Sequence, residues 1–228
     1  MKVYLLLIAA FSMISLSVIS QDVTPVKDKE TAYNETINAR AEKIVTPLAI
    51  ADTAKALRVK NCIANQYKNL NNIYTVRDLQ NKTTKEQAGN DKEAVNAQLN
   101  KIKDETTAKT DSLHKIFIAQ LSGELSPKQV EQVKDGMTYN VLNVTYNGYN
   151  QMILTLTEPQ KRQIMVWLVE AREHAMDAES SEKKHAWFGK YKGRINNYLS
   201  AQGYDLRKEG EEWEKRRKEE AEKKKTTS

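Results

Sequence analysis

Apolar residues recur with the spacing of an α-helix along most of this sequence, and that spacing constrains the fold more than any other feature. The chain has only four prolines and eight glycines among 228 residues, so few positions interrupt a helix. One such stripe comprises Ile50, Ala54, Leu57, Ile63, Tyr67, Leu70 and Ile73. The sequence therefore predicts an all-α fold.

The first half of the chain reads as three helices. The first covers 28–45. Thr46 and Pro47 then have the pattern of an N-cap and a first helical residue, which predicts a second helix from there to about Leu79. The polar segment 81–91 lacks periodicity, and we predict that it is a loop.

A third helical stripe returns after this loop, with Val95, Leu99, Ile102, Leu113, Ile116, Phe117 and Leu121. Its middle, 104–111, has no large apolar residue, and we expect this part to bulge into solvent. The second and third helices together predict a long antiparallel hairpin over 47–122, followed by a helical bundle.

Two similar pentapeptides follow the hairpin, L-S-P-K-Q at 125–129 and L-T-E-P-Q at 156–160. In each, Ser or Thr is placed to cap a helix and Gln three residues later completes a capping box. In this detail the chain is similar to periplasmic stress chaperones of the Spy and CpxP type. Two ordinary helix starts would give the same pattern.

The segment between the two caps departs from helical composition. Its β-prone residues are Tyr139, Val141, Val144 and Tyr146, and a turn signal follows at Asn147-Gly148. We predict a short irregular or extended segment near 137–148 that enters a short helix near Tyr149.

The remaining chain reads as helical and ends in a charged, solvated tail over 215–228. We predict that 21–214 forms one domain.

The N-terminus has the layout of a secretory signal. Lys2 precedes an apolar run over 3–14, and small residues precede Gln21. An uncleaved anchor is the alternative, but the run is short for a span of about 20 residues. We therefore predict a signal peptide over 1–20, no stable membrane span after its cleavage, and a periplasmic or secreted protein.

Composition and motifs limit the classes of function that this chain is expected to have. The formal net charge is +6 with both signs intermixed, and no nucleic-acid-binding motif is present, so a nucleic-acid partner is not expected. Cys62 is the single cysteine, which precludes an internal disulfide. His174 lies one turn from Glu170 and Asp177, a spacing also common on charged helix faces, and we predict no metal. No catalytic or cofactor motif is found.

Aromatic and basic residues are densest between 183 and 205. On a helix, Trp187, Tyr191 and Arg194 lie beside the apolar stripe, and such groups can stack on a pyranose and bind its hydroxyl or carboxylate groups. We predict that these three form one wall of a glycan pocket and that Tyr146 and Tyr149 form another. The alternative is that these rings pack between helices.

Four segments resemble a family found in Bacteroidetes, the domain of unknown function 3826, whose members are exported and described as candidate sugar-binding proteins. They are D-G-M-T-Y at 135–139, T-Y-N-G-Y at 145–149, A-R-E-H-A-M-D at 171–177, and 185–205. The resemblance covers 121–213 and implies an association with polysaccharide use. It transfers no known site residue.

These observations predict an exported, non-enzymatic carbohydrate-binding or polysaccharide-utilisation accessory protein, with a glycan or oligosaccharide as its partner. A helical periplasmic chaperone is one alternative, suggested by the two caps and the hairpin. A glycan-active enzyme is the other, because thirty acidic residues offer many carboxylate pairs. The sequence indicates neither the glycan nor the oligomeric state.

Overall fold

The computed structural model describes residues 28–87 and 91–226. These residues form eight α-helices and one 3₁₀ turn, with no strand among them, which confirms the all-α prediction. The helices are α1 (Lys29–Val45), α2 (Thr53–Gln87), α3 (Lys92–Glu124), α4 (Pro127–Met137), α5 (Val141–Met152), α6 (Glu158–Met176), α7 (Ser181–Ala201) and α8 (Leu206–Thr226). The predicted signal peptide lies outside the described residues. No described helix is both long and apolar enough to cross a membrane.

The first of two apolar cores joins α1, α4 and the paired α2 and α3. It buries Ile37, Ala41, Ile44, Val59, Ile63, Phe117, Leu121, Val133 and Met137. Each fully buried large apolar side chain contributes roughly 1.5–3 kcal/mol. Beyond this core α2 and α3 continue as a two-helix arm, on which Val76 and Leu79 are exposed. The predicted hairpin is therefore present, as the α2–α3 pair.

The prediction that Thr46 and Pro47 begin the second long helix is wrong. They lie in the 3₁₀ turn Thr46–Leu48, which ends at Ala49 in the left-handed region (φ 50°). The helix begins at Thr53 because Asp52 is the cap: its Oδ1 accepts two first-turn N–H groups at 2.8 and 3.1 Å.

The prediction of a loop over 81–91 is also wrong for most of that segment. Helix α2 continues to Gln87, and α3 begins at Lys92. The Lys, Glu and Gln residues of this segment are good helix formers, and Lys82 pairs with Glu86 one turn later. The polarity of the segment reflects its exposed position on a helix.

The middle of α3 does not bulge, in contrast to the prediction for 104–111. The helix is continuous there, and Thr110 is buried. The hydroxyl groups of Thr106 and Thr110 donate to the carbonyl oxygens of Ile102 (2.7 Å) and Thr107 (2.9 Å). Their hydrogen-bonding needs are met within the helix, so these small side chains can face the interior.

The second core lies among α5, α6, α7 and the start of α8. It buries Leu142, Tyr149, Ile153, Leu156, Ile164, Leu168, Ala171, Ala175, Phe188, Tyr191, Ile195 and Leu199. Helix α6 connects the two cores, because Met176 at its C-terminal end belongs to the first. The connection between α6 and α7 therefore lies where the two cores meet.

The prediction of an extended segment near 137–148 is wrong. A turn at 138–140 is followed directly by α5. Tyr139 and Asn140 both have φ 57°, and the N–H of Asn140 returns to the Asp135 carbonyl oxygen at 2.8 Å. The β-prone residues that follow are helical because Leu142 and Tyr149 pack into the second core, and packing overrides intrinsic propensity.

The two predicted capping boxes are confirmed. Ser126 with Gln129 begins α4, and Thr157 with Gln160 begins α6. At the other end, the charged segment from Lys215 continues α8 as far as Thr226. It is not wholly solvated, since the half-buried Arg216 donates to the last carbonyl oxygens of α5 at 2.9 and 3.0 Å.

Candidate functional site

A cleft of about 300 Å³ opens where the two cores meet. Its walls are α1, α2, the turn between α4 and α5, and the first turn of α7. The residues lining it are Tyr33, Ile37, Arg40, Lys43, Ile44, Tyr67, Leu70, Asn71, Gly136, Tyr139, Ala178, Glu179, Ser180, Ser181 and Lys184. We call it the tyrosine cleft, after Tyr33, Tyr67 and Tyr139.

The three tyrosines provide aromatic surface at different depths. Tyr67 is the deepest, and burial raises the pKa of its hydroxyl group to about 12. Burial also raises the pKa of Tyr33. Tyr139 lies at the mouth, with 51% of its surface exposed, and its ring stacks on His185 at 5.6 Å with an interplanar angle of 12°.

The backbone at Tyr139 is strained. A non-glycine residue in the left-handed region costs on the order of 1–3 kcal/mol, and aromatic side chains rarely adopt it. Here the turn that joins α4 to α5 imposes φ 57° on Tyr139. The turn thus places an exposed ring at the mouth of the cleft.

Gly136 allows α4 to approach α1 closely beside the cleft. A β-carbon at this position would lie 3.1 Å from both Cγ1 and Cγ2 of Ile44. A larger residue would press directly on this side chain of the first core. The glycine of the D-G-M-T-Y segment thus sets the distance between two walls of the cleft.

Three cationic side chains line the tyrosine cleft: Arg40, Lys43 and Lys184. Arg40 makes no hydrogen bond or ion pair with any described residue, but its charge affects the pKa of Tyr33, Tyr67 and Lys184. The carboxylate among the described lining residues is that of Glu179, which is paired with Arg77. The described lining is therefore positively charged overall.

Lys184 is the buried cation of the cleft, with 6% of its surface exposed. Its Nζ donates to the Ala175 and Met176 carbonyl oxygens at 3.0 and 2.8 Å, at the end of α6. It lies 5.9 Å from the centroid of the Tyr67 ring. Burial lowers the pKa of this ammonium group to about 8, and the charge of Arg40 acts in the same direction.

The first turn of α7 forms another wall. Ser180 caps this helix, and its hydroxyl accepts the N–H of Lys183 at 3.1 Å. The N–H groups of Ser181 and Glu182 precede the first hydrogen bond of the helix, which runs from the Lys184 N–H to the Ser180 carbonyl oxygen. A helix N-terminus of this kind adds hydrogen-bond donors and a partial positive charge to those of the cationic side chains.

A network of paired charges lies beneath the cleft, between α4 and α6. Arg172 has 2% of its surface exposed; it contacts Glu131 and donates to Asp135 at 2.7 Å. Lys134 pairs with Glu173 at 3.1 Å. We call these five residues the Arg172 seam. Three ion pairs between α4 and α6 thus hold the helices together where the cores meet.

His114 of α3 extends this network towards the cleft. Its Nδ1 lies 2.7 Å from Asp177, and its Nε2 lies 3.4 Å from Glu173. These two carboxylates raise the pKa of His114 to about 9. Despite its burial, Glu173 has its pKa lowered to about 2, by hydrogen bonds from His114 and Lys134 and by nearby positive charge.

Asp177 is the residue that joins this network to the wall of the cleft. It ends α6, and its carbonyl oxygen accepts the hydroxyl of Tyr74 at 2.6 Å. Gln66 donates to its side chain at 3.3 Å. The connection over 178–180, which lines the cleft, therefore directly follows a residue that is anchored to α2 and α3.

The five residues predicted to form a glycan pocket do not meet in one described cavity. Trp187 is half-buried and stacks on His174 at 4.4 Å, and the nearby Tyr191 is buried. Arg194 lies over Trp167, at 4.7 Å from its centroid, and not over Trp187. Of the five, Trp187 alone lines a described hollow, a shallow one shared with Lys183, Ala186 and Lys190.

Tyr149 lies on the other flank of α7. Its hydroxyl donates to Asn196 at 2.6 Å, and Asn196 follows Trp187 by nine residues, about two and a half helical turns. Tyr146 is half-buried against the same second core. The helix therefore separates the two predicted walls.

Sequence reasoning missed most of the tyrosine cleft. A signal was present on α1, where Tyr33, Ile37, Arg40 and Ile44 recur with helical spacing and share one face. The sequence could not show that this face meets the first turn of α7. Lys184 was similarly hidden, because a lysine on a charged helix is normally exposed.

The groups that line the cleft are of the kinds that can bind a ligand. Aromatic faces, hydroxyl groups and converging cations can hold a polar ligand that has apolar faces. Among the described residues, no group of three or more histidine, cysteine, aspartate or glutamate side chains could hold a metal ion.

Comparison with known protein families shows which family the chain resembles. The family model described as "Protein of unknown function (DUF3826)" matches residues 34–219. This match includes the α2–α3 hairpin, which contains none of the four segments in which the sequence resembles the family. It also includes most of the residues of the tyrosine cleft. No curated protein matches the chain significantly.

Proposed function

The chain belongs to the DUF3826 family, and we propose that it is a non-enzymatic carbohydrate-binding protein whose site is the tyrosine cleft. The observation that carries this proposal is the convergence of Tyr67, Tyr139, Arg40 and Lys184 on one cavity. Its volume is at the lower end of the roughly 300–1,000 Å³ usual for small-molecule sites.

The features of the cleft suit a sugar ring. The exposed ring of Tyr139 can stack on the C–H face of a pyranose at the mouth, while Tyr67 offers a second apolar face at depth. Asn71 and Ser181, with the hydroxyl groups of the tyrosines, provide donors and acceptors for sugar hydroxyl groups. Apolar faces with a few placed polar groups give both affinity and orientation.

Export and polysaccharide use are parts of the same proposal. They are supported by the signal-like segment over 1–20 and by the resemblance to exported Bacteroidetes proteins described as candidate sugar-binding proteins. In this proposal the protein serves polysaccharide utilisation as an accessory outside the cytoplasm, and the source is a member of the Bacteroidetes.

The two alternative functions receive less support from the site. Hydrolysis by two carboxylates needs a pair of acids facing the substrate, and the acid among the described lining residues, Glu179, is paired with Arg77. The chaperone hypothesis rests on the two L-[S/T]-x-x-Q segments and on the long hairpin. Helix capping accounts for both segments, which leaves the α2–α3 hairpin as its support.

A glycan array followed by titration of the best ligand tests the proposal. Tyr139→Asn removes the ring at the mouth of the cleft, and asparagine tolerates the left-handed backbone. We expect it to weaken binding at least about tenfold, as loss of a stacked aromatic ring does. Trp187→Ala is the matched variant at the site predicted from sequence, and we expect near-native affinity.

The reverse result, with binding lost in Trp187→Ala and retained in Tyr139→Asn, would move the site to the outer face of α7. A well-folded protein that binds no glycan on the array would contradict the proposed function itself.

A further inference from the structure

We propose that the tyrosine cleft selects an acidic sugar residue, whose carboxylate or sulfate group is bound by Arg40, Lys184 and the first turn of α7. This inference rests on the proposed function and specifies its ligand. It concerns the charge of the ligand, which stacking on tyrosine rings does not determine.

The charges of the cleft carry the argument. Arg40 and Lys43 make no ion pair with a described residue, while the described lining carboxylate is occupied by Arg77. In the Arg172 seam, by contrast, both cations are paired with carboxylates. An anionic ligand would provide the partner that the described lining lacks.

The donors of the cleft also suit an oxyanion. The planar guanidinium group of Arg40 can form two parallel hydrogen bonds to a carboxylate or sulfate group. Lys184 uses two of its three N–H groups on the α6 carbonyl oxygens, which leaves one donor. The N–H groups of the first α7 turn offer further donors at the positive end of the helix dipole.

The depth of Lys184 adds selectivity. A buried ammonium group has lost most of its hydration, so an anion beside it would interact more strongly than at the protein surface. A neutral sugar would leave that charge unmatched. The cleft is therefore expected to distinguish an acidic sugar from its neutral counterpart, and not merely to attract anions.

The first test compares a trimer of galacturonic acid with its neutral methyl ester by calorimetric titration of the purified protein. We expect the acid to bind at least about tenfold more tightly than the ester, as charge-assisted hydrogen bonds predict. A sulfated galactan oligomer and its desulfated form make the second pair. The pair with the larger ratio of acidic to neutral affinity shows whether the preferred group is a carboxylate or a sulfate.

Arg40→Gln tests the residue assignment. It should weaken binding of the acid about tenfold, with Lys184 and the first turn of α7 still in place, while leaving the affinity for the ester unchanged. Arg162→Gln is the matched control, because Arg162 is an exposed arginine of α6 that does not line the cleft. It removes the same net charge, and we expect no change for either ligand.

Failure of this inference differs from failure of the proposed function. Equal binding of the acidic and neutral members of both pairs would overturn the charge selectivity and leave carbohydrate binding intact. An equal effect of Arg40→Gln and Arg162→Gln would overturn the assignment to Arg40. Absence of binding to every glycan on the array would overturn both proposals.

A second readout concerns the proton of Lys184. Burial beside Tyr67 lowers its pKa to about 8; the charge of Asp177 opposes this shift and that of Arg40 adds to it. A bound anion would favour the ammonium form. Binding of the acidic trimer at pH 8.5 should therefore take up protons, measured as a dependence of the binding enthalpy on the buffer used. The methyl ester should show no such dependence.

Discussion

Two groups of charged side chains lie on either side of the end of α6, and they differ in whether their cations have ionic partners. In the Arg172 seam, Arg172 and Lys134 each contact carboxylates of the facing helix. In the tyrosine cleft, Arg40 and Lys43 have no ionic partner among the described residues. Paired charges that lie between helices serve the fold, whereas converging cations in an open cavity suit a ligand.

The backbone shows the same contrast. Around the seam, α4 and α6 are regular helices that begin with capping boxes. At the cleft, the chain carries a bulky aromatic residue in the left-handed region. Strain of this kind persists only where the surrounding structure enforces it, and it is concentrated at functional sites. We therefore expect substitutions in the seam to affect stability and those in the cleft to affect binding.

The largest effect is expected from Arg172→Met. This change leaves the carboxylates of Glu131 and Asp135 without their buried cation, and removal of one partner from a buried ion pair costs about 3 kcal/mol or more. Urea unfolding should show that loss in the free energy of unfolding. The control is Arg162→Met, at an exposed position on the same helix. Its free energy of unfolding should change by no more than about 0.5 kcal/mol. A loss below about 1 kcal/mol in Arg172→Met would show that the seam is dispensable for the fold.

The pH dependence of stability should come next in size. The pKa of His114 is raised from its ordinary value of 6.5 to about 9, so protonated His114 stabilises the fold. Its contribution is complete below pH 6.5 and is lost as the pH rises through 9. Between pH 6.5 and 8 we expect a net decrease of about 1 kcal/mol. This value allows for partial exposure of His114 and for Lys184, which begins to lose its proton at the upper end of the interval and opposes the decrease.

His114→Gln checks this assignment, because glutamine keeps a hydrogen-bond donor but does not titrate. Its unfolding free energy should be nearly flat over the same pH interval. His174→Gln changes an exposed histidine on α6 that stacks on Trp187, and it should retain the native slope. A native slope in His114→Gln would assign the pH dependence to another group.

The smallest effect has the opposite sign. Tyr139→Gly relieves the left-handed strain, and after allowance for the flexibility of glycine in the unfolded chain it should stabilise the protein by about 0.5–1 kcal/mol. The same variant should bind glycan more weakly, because the ring at the mouth of the cleft is gone. Thermal unfolding and titration measure the two changes. Lower stability with native affinity would indicate that Tyr139 serves the fold.

The comparison also explains which features could be predicted from sequence. The all-α class, the hairpin and both capping boxes depend on spacing within single helices, and they are confirmed. The prediction of an extended segment near 137–148 is wrong because packing of Leu142 and Tyr149 determines the conformation of this segment. The second long helix was placed too early because Thr46 and Pro47 have the sequence of a helix start, while Asp52 provides the actual cap.

The tyrosine cleft depends on contacts between helices far apart in the sequence. Tyr33 and Arg40 of α1 line the same cavity as Lys184 of α7, and the seam joins two helices that lie between them in the sequence, α4 and α6. Helical spacing puts Trp187 and Arg194 on one face of α7, but the sequence could not show that Trp167 of α6 lies beneath Arg194. Periodicity identifies faces, and tertiary packing determines which faces meet.

The most direct test of the tyrosine cleft as the binding site is a nuclear magnetic resonance titration with the acidic trimer. The indole N–H groups of Trp167, Trp187 and Trp213 provide a control, because none of the three lines the cleft. We predict that the amide signals of Asn71, Tyr139 and Ser181 shift with the ligand while the indole signals stay in place. Shifts of the Trp187 indole signal, with no change in the amide signals of the cleft, would contradict this assignment.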